Sequence, residues 1–393
     1  MPEPARPFAW FMLSGDGQAI LTGHGFGSQR RRCRGGRLRA STGHARLARD
    51  DPVSGANLPS REANRLAWPW VAGLLGLALL AAALYALGSG RFHLPLGEVL
   101  RLLAGSQDAP STAETVLWQI RGPRVLASIV VGAALAASGV ALQSVFRNPL
   151  AAPDLLGVSA GAALGAVLGI FLGWSVFAIQ ASAFAGGLAA VALVYAVGTV
   201  LPLRDRTLSL VLAGIAIGSM LGALIALVKT LADPYTQLPA ITFWLLGSFS
   251  SITTVDLALL ATLTVLGLVP LMLMRWRADA LALSDDEVHA LGLRLPVLRL
   301  ALVCGATLAT SGTVAAAGII GWIGLVVPHA ARLMVGASFP RVLPVAMLLG
   351  ALLMLVIDTF GRSIGQSEVP PGVLTALVGA PVLFALMIRR ADG

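Results

Sequence analysis

The chain has 393 residues, of which 56% are apolar and 12% charged, and its mean hydropathy is +0.82. A soluble domain carries roughly 25% charged residues, so the composition excludes an ordinary soluble enzyme and a wholly disordered chain. The 44 Gly and 22 Pro follow no triplet period, which excludes a collagen-like rod, and the recurring apolar runs predict an all-α polytopic membrane protein.

The basic excess is uneven. Residues 1–66 hold 11 Arg against 5 acids, and residues 67–393 hold 17 basic against 14 acidic groups. The pI of about 11.0 therefore reports mostly the first segment and gives no case for a nucleic-acid partner, which needs a folded basic surface. Residues 1–66, rich in Gly, Arg, Pro and Ser, read as a disordered cytoplasmic extension. Its basic cluster, Gln29–Arg39, is either solvated or drawn to anionic headgroups. The apolar patch Phe8–Leu13 is too short for a signal-peptide core.

Along residues 67–393, nine apolar runs are long enough to cross a bilayer. They are Trp68–Gly88, Val125–Phe146, Leu155–Gly173, Val176–Leu201, Leu208–Leu231, Leu257–Met274, Leu300–Ala317, Val342–Phe360 and Val373–Ile388. A tenth, Ile319–Val335, is interrupted by Pro328, His329 and Arg332 and reads as a short or bent span inside the bundle. With ten spans, the loops on one side carry 11 Lys/Arg against 6 on the other. The positive-inside rule then places both termini in the cytoplasm. Small residues recur in the spans, as ordinary close helix packing requires.

Several chemistries are excluded. Lys229 is the only lysine and follows Val228, so the chain has no Walker A loop. Cys33 and Cys304 are far apart and the five histidines are scattered. No disulfide, metal site or cofactor is expected. The middles of spans 2, 3, 4, 7 and 10 lack ionisable groups, which argues against an ion-gradient-driven secondary transporter. No nucleophile motif supports a membrane enzyme.

An octapeptide repeats. Gly132-Ala-Ala-Leu-Ala-Ala-Ser-Gly139 in span 2 returns as Gly305-Ala-Thr-Leu-Ala-Thr-Ser-Gly312 in span 7, matching at six of eight positions. The two spans run in opposite directions, as in an inverted-topology repeat; chance similarity of small residues is the alternative.

Longer motifs follow in order. They include Arg121-Gly-Pro-Arg124, Gln143-Ser-Val-Phe-Arg-Asn-Pro-Leu-Ala151, Pro153-Asp-Leu-Leu-Gly-Val-Ser-Ala-Gly161, Leu210-Val-Leu-Ala-Gly-Ile-Ala216, Trp244-Leu-Leu-Gly-Ser248 and Ala290-Leu-Gly-Leu293. Two more are Gly318 through Arg332 and Pro371 through Pro381. Over residues 68–390 the chain resembles the permease subunits of ABC importers for iron–siderophore, haem and cobalamin. The resemblance implies ten helices, a second permease subunit in a homodimer or close heterodimer, and a substrate path at the dimer axis. It also implies two cytoplasmic ATPase subunits holding ATP and Mg, and an extracytoplasmic substrate-binding protein. The location implied is the cytoplasmic (inner) membrane. A ferric siderophore is the expected substrate, with haem, cobalamin and molybdate-type oxyanions as alternatives.

Three groups of residues follow. In the loop 277–296, Ser284 precedes Asp285, Asp286 and Glu287, as a helix N-cap before favoured first-turn carboxylates. His289 and Leu291 lead to Gly292, a helix stop. This is an ordinary solvated loop helix or, as the resemblance implies, the helix that seats in the ATPase. Ser284 and His289 depart from the family's usual glycine and arginine. Arg121, Arg124 and Arg362 sit at the outer ends of their spans. They are headgroup contacts, helix caps or (Arg362 with Asp358) a local ion pair, or the docking arginines the resemblance implies, the arginine fork suiting carboxylates. Asn148, Pro149, Pro328 and His329 are polar or helix-breaking positions at inner span ends, read as breaks that shape the inner pathway.

Overall fold

The computed structural model describes residues 63–90, 92–105, 111–200, 206–283, 285–364 and 368–391. The extension before residue 63 and Ser284 lie outside the described residues. Those described are helical, with no strand among them. The helices are α1 Ala63–Gly88, α2 Leu96–Leu103, α3 Ser111–Thr115, α4 Gly122–Val145, α5 Val158–Phe171, α6 Val176–Val200 and α7 Arg206–Leu231. They continue as α8 Gln237–Leu245, α9 Thr254–Ala278, α10 Asp285–Ala290, α11 Leu295–Ala317, α12 Ile323–Val335, α13 Phe339–Ser363 and α14 Pro371–Ala391.

Seven helices have the length and hydropathy to cross a membrane. In their apolar windows, burial reaches 78% on the α4 segment, 72% on α11 and 61% on α13, but only 11% on α1 and 22% on α7 and α9. The first three form the core, and the others turn apolar surface outward, as lipid or a partner helix requires. Glycine makes the close crossings possible. A methyl at Gly132 of α4 would stand 2.2 Å from the Gly350 carbonyl oxygen of α13, and one at Gly139 only 1.9 Å from that of Gly324 in α12. In the second copy of the octapeptide, a methyl on Gly305 would meet the Gly267 carbonyl of α9 at 2.6 Å. The two copies touch each other, the Ser138 hydroxyl donating to the Ala306 carbonyl at 3.1 Å.

The structure corrects several expectations. The run Leu155–Gly173 yields only the 14 residues of α5, because Pro153–Leu156 form a 3₁₀ turn and Gly157 takes φ 71° to redirect the chain. Ile323–Val335 is likewise a shorter apolar helix, whereas α14, with 21 residues, contains the whole expected run Val373–Ile388. Pro328 does not break the tenth run: it lies inside a continuous α12. The break comes earlier, where Gly318 (φ 72°) and Trp322 (φ 70°) turn the backbone. The second span begins much earlier than Val125, since Thr112–Val145 form one 34-residue apolar segment that passes through a π-helical turn at Val116–Arg121. α1 starts at Ala63, inside what composition assigns to the extension. The short helix α8 follows an Asp233 turn, whose carboxylate accepts from the Thr236 hydroxyl and from the amides of Thr236 and Tyr235. Those bonds, the Thr236 hydroxyl's first, hold Asp233 below the usual carboxylate range.

Candidate coupling and docking faces

α10, the end of α9 and the start of α11 share one face of the bundle, the α10 face. α10 is short and anchored by Val288, which is fully buried, while Glu287 and His289 are exposed. Leu291 is 62% exposed. Gly292 stops the helix with φ 71°: its amide donates to the His289 carbonyl at 2.9 Å, and the Leu293 amide to that of Val288 at 3.3 Å. This is the left-handed C-cap expected of glycine. The backbones of Asp285 and Asp286 open the helix.

α10 is tied to the core by a residue to which sequence reasoning gave no role beyond its charge. Arg147, at the end of α4, donates from Nε to the Leu281 carbonyl at 2.7 Å and from Nη2 to that of Leu283. Both carbonyls lie in the short stretch that leads into α10. Asn148 and Pro149 end α4. The Asn148 side-chain oxygen accepts from the Leu150 amide at 2.9 Å, and the Asn148 backbone N–H donates to the Gln143 backbone carbonyl at 3.1 Å. Asn148, Pro149 and the buried His329 line one cavity of about 640 Å³ on the α10 face, together with Gln143, Arg147 and Arg332. Pro328 is buried beside it. Among the described residues, no group of three His, Cys, Asp or Glu could hold a metal.

The opposite face carries the three arginines. They are not free guanidinium groups. Arg121, 5% exposed, is brought inward at the end of the π turn. It donates to the carbonyls of Leu87 (2.7 Å), Gly88 (3.1 Å) and Phe92, capping the C-terminal end of α1, where a cation is favoured. A side chain at Gly90 would stand 2.8 Å from Arg121 Nη2. Arg124 in the first turn of α4 pairs with buried Asp358 of α13, at 2.8 Å from Nη2 and 3.1 Å from Nε. Its Nη1 reaches both Glu368 oxygens at 3.0 and 2.8 Å. Arg362 Nε lies 3.5 Å from Asp358, one turn away. The local ion pair and the helix cap are thus both present. Burial of two like charges needs the shared Asp358 between them. The α4–α13 contact that assembles this cluster spans 234 residues of sequence.

Residues 56–389 match the FecCD transport family. The chain is 36% identical over 322 residues to the molybdate import system permease protein MolB of Haemophilus influenzae, covering 81% of this chain and 95% of the relative. It is 35% identical over 327 residues to the hemin transport system permease protein HmuU of Yersinia pestis, covering 81% and 96%. A solved structure described as an inward-facing conformation of a metal-chelate type ABC transporter superposes with a TM-score of 0.74 at 35% identity. That match covers 82% of this chain and 99% of that one. With its helical bundle, these relatives and the family match along nearly its whole membrane domain, the chain belongs to the FecCD transport family of ABC importer permeases.

Proposed function

We propose that this permease moves a metal chelate, a ferric siderophore first among them, inward across the cytoplasmic membrane. A separate ATPase pair holding ATP and Mg grips α10, and an extracytoplasmic binding protein delivers the substrate to the arginine face. The observation that carries this reading is the placement of α4. Its inner end holds the α10 approach through Arg147, and its first turn on the opposite face carries Arg124. One buried helix therefore joins the two partner faces. The apolar surface left on α7 includes Gly218 and Gly222, where an added methyl would meet nothing within 4 Å. Such a face suits a second copy of the permease. Leu208–Val228 carries no charge, which suits passage of a ligand whose metal charge is wrapped by its chelator. A molybdate-type oxyanion is the second reading, favoured by the name of the Haemophilus relative.

Docking proceeds by carboxylate exchange. Glu368 is 44% exposed at its side chain and occupies the outward edge of Arg124; a glutamate of the binding protein takes its place. Glu368→Gln weakens the internal competitor without unpairing the buried Arg124–Asp358 bridge. The affinity of the purified binding protein for the reconstituted transporter should rise about threefold or more (about 0.7 kcal/mol), and higher salt should weaken both complexes. An unchanged affinity in Glu368→Gln, with no salt dependence, would remove the arginine cluster from docking. Uptake of radiolabelled ferric siderophore, haem and molybdate by the same proteoliposomes assigns the substrate.

A further inference from the structure

We propose that a pocket on the α10 face binds the phosphodiester headgroup of an anionic phospholipid. The pocket, about 570 Å³, lies where three spanning helices end. Trp68 stands at the start of the apolar run of α1, Arg275 and Trp276 near the end of α9, and Ser338 and Arg341 at the start of α13, with Asp279 in the wall. The Arg275 guanidinium lies 5.2 Å from the centre of the Trp276 ring, which holds it in place as a cation–π pair. Among the described residues, neither Arg275 nor Arg341 has an ion-pair partner. Asp279 is already engaged: its carboxylate accepts from the Ser338 hydroxyl at 2.9 Å and the Phe339 amide at 2.5 Å. The pocket thus offers two planar forks of positive charge against one committed carboxylate. That is the geometry that bonds phosphate oxygens in pairs.

The surroundings separate a lipid from a soluble anion. Trp276 is 71% exposed, and Trp70, two residues on from Trp68 and on the opposite side of α1, 81% exposed. Amphipathic rings of this kind collect at the membrane–water boundary. One turn along α9 from Trp276, on the same face, Leu273 turns exposed apolar surface outward. A headgroup in the pocket leaves its acyl chains to cover that leucine. Free phosphate gains nothing from it. The chain's own extension has the wrong sign, with 11 Arg against 5 acids in residues 1–66. Basic pockets between spanning helices on the cytoplasmic side are where anionic headgroups bind. The inference rests on the proposed function only for assigning that leaflet; the pocket's chemistry does not depend on the substrate or the docking face.

The test uses the full chain, purified in detergent, delipidated and titrated with phosphatidylglycerol or phosphatidylcholine, with bound lipid counted by native mass spectrometry. Wild type should prefer phosphatidylglycerol by about tenfold, and Arg275→Gln/Arg341→Gln should lose that preference. Arg277→Gln/Arg294→Gln removes the same charge on the same face outside the pocket and should keep it. Arg275→Lys/Arg341→Lys, which guards against a folding defect, should retain part of it. Excess inorganic phosphate should not displace the lipid. Retention of the preference in the Arg275/Arg341 glutamine variant overturns the proposal. So does equal loss in the Arg277/Arg294 control, which would mean diffuse attraction, or displacement by phosphate, which would mean a soluble-anion site. Appearance of the preference only after residues 2–57 are deleted would give the pocket to the extension instead.

Discussion

Pro328 has no amide hydrogen, so the Gly324 carbonyl one turn earlier in α12 needs a donor from outside its helix. Gln143 of α4 supplies it: Nε2 lies 3.4 Å from the Gly324 oxygen and 3.2 Å from that of Leu325, while Oε1 accepts from Arg332 Nη1. One amide side chain therefore repairs the proline and fixes the arginine next to the cavity. Gln143→Leu keeps the volume and removes both bonds. A buried carbonyl left without a donor costs about 1–3 kcal/mol, so the thermal midpoint in detergent should fall, with Arg332 more reactive toward arginine reagents. An unchanged midpoint would mean that another donor reaches Gly324. The proline was legible in the sequence; its partner was not, because the bond joins positions 181 residues apart. Arg147 was hidden for the same reason, its carbonyl acceptors lying 134 and 136 residues away. Arg147→Ala should leave the ATPase bound but lower the uptake achieved per ATP hydrolysed, read in proteoliposomes; unchanged stoichiometry would confine Arg147 to stability.

α10 was readable as an element because its signals are local. Acids open it and Gly292 closes it at φ 71°, a conformation that costs glycine little. Which side chains it displays depends on Val288 being buried against the bundle, a tertiary fact. Leu291 points outward, so Leu291→Asp should leave the fold and the thermal midpoint within about 0.5 kcal/mol of wild type. It should also release the ATPase or uncouple hydrolysis from uptake. Full coupled activity in that variant would make α10 an ordinary solvated turn. The π turn at Val116–Arg121 left no comparable signature, since one extra residue in a helical turn is set by what Arg121 caps, not by local propensity. The mistaken break at Pro328 has the same origin: its freed carbonyl is met by a side chain 181 residues away, which no local signal shows.

Across the whole molecule, the arrangement of charge predicts orientation. His93 is exposed on the face of α2, and His289 on that of α10. In a chain with Cys33 and Cys304 replaced by serine, an impermeant maleimide added to sealed cells should label His93→Cys at once and His289→Cys only after permeabilisation. The reverse pattern would invert the topology and move the ATPase to the other face. The long apolar runs determined that the chain is a helical membrane protein, because a continuous run of about 20 apolar residues crosses a bilayer as a helix that closes its own backbone bonds. The ordered motifs carried the family. What only the tertiary structure decided is which helices form the core and what the polar groups do. An apolar run looks the same whether it faces lipid or protein, so the burial of α4 and the exposure of α1 could not be read from hydropathy. The sequence left the outer arginines open between headgroup contacts, helix caps, a local ion pair and docking groups, because charge in a sequence carries no burial. The fold brings Asp358 and Glu368 to Arg124 and backbone carbonyls to Arg121, and in a low-dielectric core a buried guanidinium persists only with hydrogen-bonding partners of this kind.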